Sequence, residues 1–230
     1  MGITTDRRLT LYQLADSALP TGGYAFSNGL EAAARHGLFK TSEDLLRYCD
    51  AGVRQYCTAD LPFVRAAWAV GAAGLDGEDY LELMREQDAF ITVPELRRAS
   101  CIQGRNCLRL YDALFSEIDW SRFRMSVGKE AYGYHLSGVF GAGLGEAGFN
   151  AEEVCELACF LMLRDQVSAA VRLSVVGPTD ATRIQVALQE RLPSHIDAGP
   201  RLPRDAFRSA PLLDIMQGTH ARLYTKLFQS

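Results

Sequence analysis

Cys155 and Cys159 are the pair whose type and spacing point most directly to chemistry. Four positions apart on one helical face, two thiolates can reach a single metal ion. Their neighbours Leu157, Ala158, Phe160 and Leu161 are apolar and no third ligand stands nearby, so packed core thiols are the stronger reading. The other cysteines are Cys49, Cys57, Cys101 and Cys107. An even number suits a disulfide framework in a short secreted chain, but at 230 residues with an opening GITTDRR the expectation is reduced thiols. Four histidines, His36, His135, His195 and His220, form no HExxH or HxH pair. GxSxG, CxxC and Walker A arrangements are also missing, and Asp60, Asp88, Asp112 and Asp165 are scattered rather than clustered. The residues therefore predict no catalytic centre, no resident metal and no cofactor.

The elements that would position these side chains read almost entirely as helix. In LYQLADSALPTGGYAFSNGLEAA, Leu11–Ala33, helical periodicity stops at Pro20 and the Gly22-Gly23 pair and resumes near Ser27. This predicts a sharp corner with Tyr24 and Phe26 packed in it. Thr41 followed by Asp44 marks a helix start, as does Asn150 followed by Glu153. Asp60-Leu61-Pro62 opens an alanine-rich helix, Asp76 caps another, and Thr92 to Pro94 begin a long one through Phe115. Residues 120–126 read as a loop and 129–148 as helical. In that last stretch Gly138, Gly141, Gly145 and Gly148 recur at steps of three and four, a smooth ridge for close helix approach. GAGLG lacks the dinucleotide spacing, and no strand precedes it.

The helix after Asn150 is the most apolar and is expected in the centre of a bundle, with Arg172 paired inside or reaching out at the bundle's end. Pro178, Thr179 and Asp180 begin a further helix. Residues 193–211 hold half of the eight prolines and read as a loose, flexible connector. A final helix is expected beyond it, with Met216, His220, Leu223, Tyr224, Leu227 and Phe228 on one face, docked on its own bundle or awaiting a partner. The fold class predicted is all-α: one compact bundle of roughly ten helices over 1–230, with a flexible proline-rich segment at 193–211 and a partner-binding tail at 211–230.

With 48% hydrophobic residues the chain can bury a real core. A net charge of -4 and no basic stripe argue against nucleic acid. No apolar run is long enough to span a membrane, and a cytoplasmic protein is expected. A helical ligand-sensing regulatory domain and a helical metal-dependent hydrolase stand as alternatives to a protein-binding adaptor.

Several motifs carry a resemblance further. ALPTGGYAFSNGLEAA places Pro20, Gly22, Ser27, Gly29 and Glu31 at the fixed points of an N-terminal signature. Gln103-Gly104-Arg105, His135 with Val139-Phe140-Gly141, VSAAVRL with Arg172, and GPTDATRIQ with Asp180 follow in order. PLLDIMQGTHARLYTKLFQS ends the chain with Pro211, Asp214, His220, Leu223, Tyr224, Leu227, Phe228 and Ser230. Together these resemble the urease accessory protein family UreF. The family usually reads Gly-Gln-Thr-Asp-Gly-Gln where this chain has Pro178 for the glutamine and Ala181 for the glycine.

The resemblance implies a non-enzymatic, all-helical and commonly dimeric protein. It would bind a UreD-like (UreH-like) protein and the GTPase UreG in a complex for GTP-dependent nickel insertion into apo-urease. With such partners, the proline-tethered apolar segment at 211–230 is expected to be mobile when free and to fold onto the UreD-like protein through Leu223, Tyr224, Leu227 and Phe228. The corner from Pro20 to Glu31, with Arg172 and Asp180, would form a face for UreG, and Arg172 or Arg105 would be the candidate for an arginine finger.

Overall fold

Two of the expected helix starts close as reciprocal caps. The Asp44 amide donates to Thr41 Oγ1 at 3.1 Å while the Thr41 amide donates to the Asp44 carboxylate at 3.0 Å. Asn150 and Glu153 repeat the arrangement at 2.8 and 3.2 Å. Each satisfies amides that the first helical turn leaves without partners. Thr41→Ala should therefore cost about 1 kcal/mol, read as a lower urea midpoint with an unchanged slope.

The computed structural model describes residues 7–19, 23–75, 77–128 and 130–229, and these contain twelve α-helices and no strand. The helices are α1 (Arg7–Leu14), α2 (Leu30–Arg35), α3 (Ser42–Ala59), α4 (Leu61–Ala72), α5 (Gly77–Phe90) and α6 (Pro94–Leu114). They continue as α7 (Trp120–Val127), α8 (Leu136–Glu146), α9 (Ala151–Arg172), α10 (Pro178–Gln189), α11 (Leu192–Ala198) and α12 (Pro211–Thr219). The all-α bundle is as expected, with two helices more than the sequence suggested. Asp76, the expected cap of α5, lies outside the described residues, as do Pro20, Gly22 and Ser230.

Helix α8 shares the central position with α9, and every residue from Ser137 to Gly145 is buried. Its glycines explain why. A Cβ at Gly141 would overlap the Val64 carbonyl oxygen of α4, and one at Gly145 would overlap the Trp68 carbonyl. From the other side, a Cβ at Gly71 would overlap the Ala142 carbonyl. The two backbones are in near contact, which only residues without side chains permit. Gly138 faces Tyr80 and Met84 of α5 instead, and Gly148, at φ 80°, ends the helix, so the ridge toward α4 is shorter than its spacing implied. Helix α9 is also enclosed, as expected: only Glu152 and Glu156 are exposed, Leu157, Leu163, Val167 and Ala170 are buried, and Phe160, Leu161 and Met162 are half-buried.

Three expectations need correction. Residues 120–127 form a helix and not a loop: the Asp119 carboxylate accepts from the Ser121 amide at 3.0 Å, and Trp120, Phe123 and Val127 bury one face. The run before α8 is not continuous helix, because a 3-10 turn at Ala131–Tyr134 precedes His135. There the Tyr134 carbonyl fits against Gly104 of α6, where a Cβ would collide with it. Residues 193–211 are not a loose connector. Pro193, Pro203 and Pro211 sit in the first turns of α11, a 3-10 turn and α12, where proline needs no amide partner. The Phe207 amide donates to the Thr58 carbonyl at 3.0 Å, and Gln55 accepts from the Ala210 amide at 2.7 Å.

All six cysteines are free and buried. Cys57 Sγ lies 3.7 Å from Cys159 Sγ, and Cys155 Sγ accepts from Arg65 Nε at 3.3 Å. Burial pushes the Cys49 and Cys107 thiols up to about 12, so neither is a thiolate near neutrality. Among the described residues no group of three or more His, Cys, Asp or Glu side chains is placed to hold a metal ion, and no helix is long and apolar enough to cross a membrane.

Candidate functional site

Glu31 is the organising residue of the site. It sits in the first turn of α2, behind Gly29, whose φ of 83° and whose contact with Gln217 and Met216 leave no room for a side chain. The Ser27 hydroxyl accepts from the Glu31 amide at 3.3 Å. The Glu31 carboxylate, 0% exposed, does not point to solvent but accepts from the far end of the chain. The Leu227 amide donates to it at 2.7 Å, the Phe228 amide at 3.1 Å, and His220 Nε2 lies 2.9 Å away, itself 1% exposed. Burial alone would raise the pKa of this carboxyl. The Leu227 amide, His220 and the Phe228 amide together outweigh it, and the net shift is downward.

Arg172, at the end of α9, completes the clasp. Its Nη1 donates to the Tyr24 carbonyl at 2.6 Å, and its guanidinium lies 3.6 Å from the Tyr24 ring centroid and 4.2 Å from that of Phe228. The Gln229 amide donates to the Ala25 carbonyl at 2.8 Å. One cation thus stacks between an aromatic ring from each end of the chain. Below it, Arg164 pairs with Asp165 at 2.6 Å and donates to the Ala15 carbonyl at 2.8 Å, which fixes the chain entering the corner to α9.

Of the expected site residues, Ser27, Glu31, Arg172, His220 and Phe228 are brought together, and Leu223 packs half-buried beside them. Asp180 is not: exposed on α10, it pairs with Arg183 at 2.8 Å. Asp214 serves inside the fold, accepting from Arg208 and, at 2.9 Å, from Gln55 of α3. Residues 211–229 are held on the bundle rather than free, and they do not continue as one helix. A 3-10 turn at His220–Arg222 follows α12, Leu223 is extended, and the chain then bends at 224–225 and 227–228. Phe228 is 4% exposed and anchors the chain's own fold, whereas Tyr224 and Leu227 are 102% and 61% exposed. An arginine finger also loses its support: Arg172 is sandwiched between rings, and Arg105 lies over Tyr134, 5.0 Å from its ring centroid.

Ala25 and Gln229, which pair through backbone atoms, carried no side-chain signal. Gln55 and Arg208, which hold α12, gave none that spacing alone reveals. A second network also escaped the sequence. His135, fully buried, sits 3.0 Å from the Asp88 carboxylate and 3.1 Å from Ser100 Oγ, whose oxygen also accepts the Leu136 amide at the start of α8. Ser100 is therefore occupied as a helix cap. Burial lowers the His135 pKa despite Asp88, which favours the neutral ring there.

The sequence pattern of the UreF family matches residues 39–189. The chain is 32% identical over 220 residues to urease accessory protein F of Oryza sativa subsp. indica, covering 94% of this chain and 83% of the relative. It is 33% identical over 225 residues to the Arabidopsis thaliana protein of the same name, with coverages of 95% and 91%. Identity to urease accessory protein UreF of Mycobacterium sp. (strain JLS) is 31% over 221 residues, 96% of this chain and 98% of that protein. With the clasp joining two terminal motifs on an all-helical frame, these matches establish that the chain belongs to the UreF family of non-catalytic urease accessory proteins.

Proposed function

We propose that this protein joins a UreD-like protein and a UreG-like GTPase in the complex that inserts nickel into apo-urease in a GTP-dependent manner, and that it does so as a cytoplasmic homodimer. Nickel is the cargo of that assembly and GTP is handled by the GTPase. The observation that carries the reading is the clasp. It fixes the two ends of the chain on one another while leaving Tyr224 and Leu227 projecting from a segment whose backbone is already ordered. A pre-ordered segment loses less entropy on docking than a free tail, and exposed aromatic and aliphatic anchors supply most of the energy of such contacts. Leu212 and Ile215, three positions apart on the exposed side of α12, extend the apolar surface of the same C-terminal region.

Tyr224→Asp combined with Leu227→Asp tests this. Both side chains face solvent, so stability should change by less than about 0.5 kcal/mol. Co-purification with the UreD-like partner should be lost, and urease activated in cells carrying the variant should fall with it. Recovery of the wild-type complex by the double variant would refute the assignment of this segment as the partner-binding surface.

A further inference from the structure

A second surface, away from the clasp in its residues and contacts, has the chemistry of a docking pocket. Asp50 of α3 is surrounded by cations. His195 Nε2 lies 3.1 Å from its Oδ1, Arg191 Nη1 3.3 Å from the same oxygen, and Arg54 Nε 3.3 Å from Oδ2. Two guanidiniums and an imidazole share one carboxylate, and the side chains of Arg54 and Arg191 remain 56% and 48% exposed. Each guanidinium carries five donors and meets Asp50 through one nitrogen, so solvent-facing donors and an excess positive charge stay available to a further acceptor.

Beside it opens a pocket of about 240 Å³ with Ala51, Ala198 and Ala210 among its walls and Phe207 on one side. Phe207 is 53% exposed, yet its backbone is fixed by donation to the Thr58 carbonyl at 3.0 Å. Thr58 Oγ1 in turn lies 3.3 Å from Ser209 Oγ, which steadies the segment that carries the ring. An aromatic held half out of the surface, over an alanine-lined hollow and next to underused arginines, matches the composition of interface anchors.

We propose that this pocket docks an acidic segment of another protein of the urease-maturation assembly, with an apolar side chain seated against Phe207 and a neighbouring carboxylate taken by Arg54 and Arg191. Charge complementarity selects the occupant: the local excess is positive although the whole chain carries -4. The apolar hollow selects a protein segment over a nucleic-acid backbone, which would leave Phe207 and the alanines unused. The proposal rests on the function proposed above, and it concerns residues that the C-terminal segment does not contain.

The test measures binding of purified UreD-like protein, UreG-like protein and apo-urease to the full chain, to Arg54→Glu and to Phe207→Ser, by biosensor at low and high salt. Retention of the wild-type circular dichroism and melting temperature is checked first, and both positions are exposed enough to tolerate replacement. One of the three proteins should bind each variant at least about tenfold more weakly. The salt dependence of that binding should be reduced in Arg54→Glu and kept in Phe207→Ser. Wild-type affinity of both variants for all three would overturn the proposal while leaving the proposed function intact. A wild-type chain that binds none of them would remove both. Impaired self-association with unchanged binding of the three would assign the pocket to a second copy of this chain, and would overturn the proposal as well.

Discussion

Glu31→Ala should destabilise the protein by about 3–5 kcal/mol and release the last residues of the chain. The magnitude follows from what is left behind. Removing the carboxylate strands two backbone amides and an imidazole in a site where Glu31 is 0% and His220 1% exposed. Buried donors without partners are more costly than the loss of an exposed ion pair, which is worth at most about 1 kcal/mol. Release should be visible as faster tryptic cleavage at Arg222 and Lys226, and as loss of partner binding even though Tyr224 and Leu227 are untouched.

Glu31→Gln separates charge from shape, since the amide fills the same space but presents a donor toward at least one of the backbone amides. The pH dependence follows from the lowered carboxyl pKa. A carboxylate whose native pKa lies below its unfolded value adds stability that is fully present above the ordinary carboxylate range. That stability is lost as pH falls through the native value. Wild type should therefore show an acid limb in its denaturation midpoint that Glu31→Gln flattens. An unaltered acid limb in that variant would show that Glu31 does not hold the clasp.

How much of this was legible depended on the range of the interaction. Caps at Thr41 and Asn150, and the long helix opened at Pro94, are written within four residues and were readable from spacing. The helix at 120–127 is hidden in the sequence because Trp120, Phe123 and Val127 lie among arginines and serines that mask its short period. Prolines 193, 203 and 211 look like breakers in the sequence, although each occupies the one helical turn that accepts proline. The resemblance singled out Glu31 and His220, but nothing local in either motif states that they meet across 189 positions. The partners also include backbone amides, which every residue possesses and no composition distinguishes. The same limit explains Phe228: an apolar residue in a terminal motif suits a partner's groove and its own bundle equally, and only the arginine stacked on it decides.

Gly141→Ala should be strongly destabilising for so conservative a core change, and the reason separates packing from propensity. Taken alone, alanine in place of glycine inside a helix gains about 1 kcal/mol. Here the new methyl would meet the Val64 carbonyl oxygen, with the Trp68 amide nitrogen at 3.0 Å. Neither is the end of a flexible side chain that can rotate aside, so α4 and α8 must move apart along the contact at the centre of the bundle. Overpacking costs typically about 1–3 kcal/mol and more when backbone must shift, which exceeds the propensity gain. Gly177→Ala supplies the comparison: it stands before α10 at φ -75° with nothing within 4 Å of a new Cβ, and should change stability by less than about 0.5 kcal/mol. Denaturation midpoints of the two variants then test the architecture directly. If Gly141→Ala were as stable as Gly177→Ala, helices α4 and α8 would not be in backbone contact, and the central position assigned to α8 would be wrong.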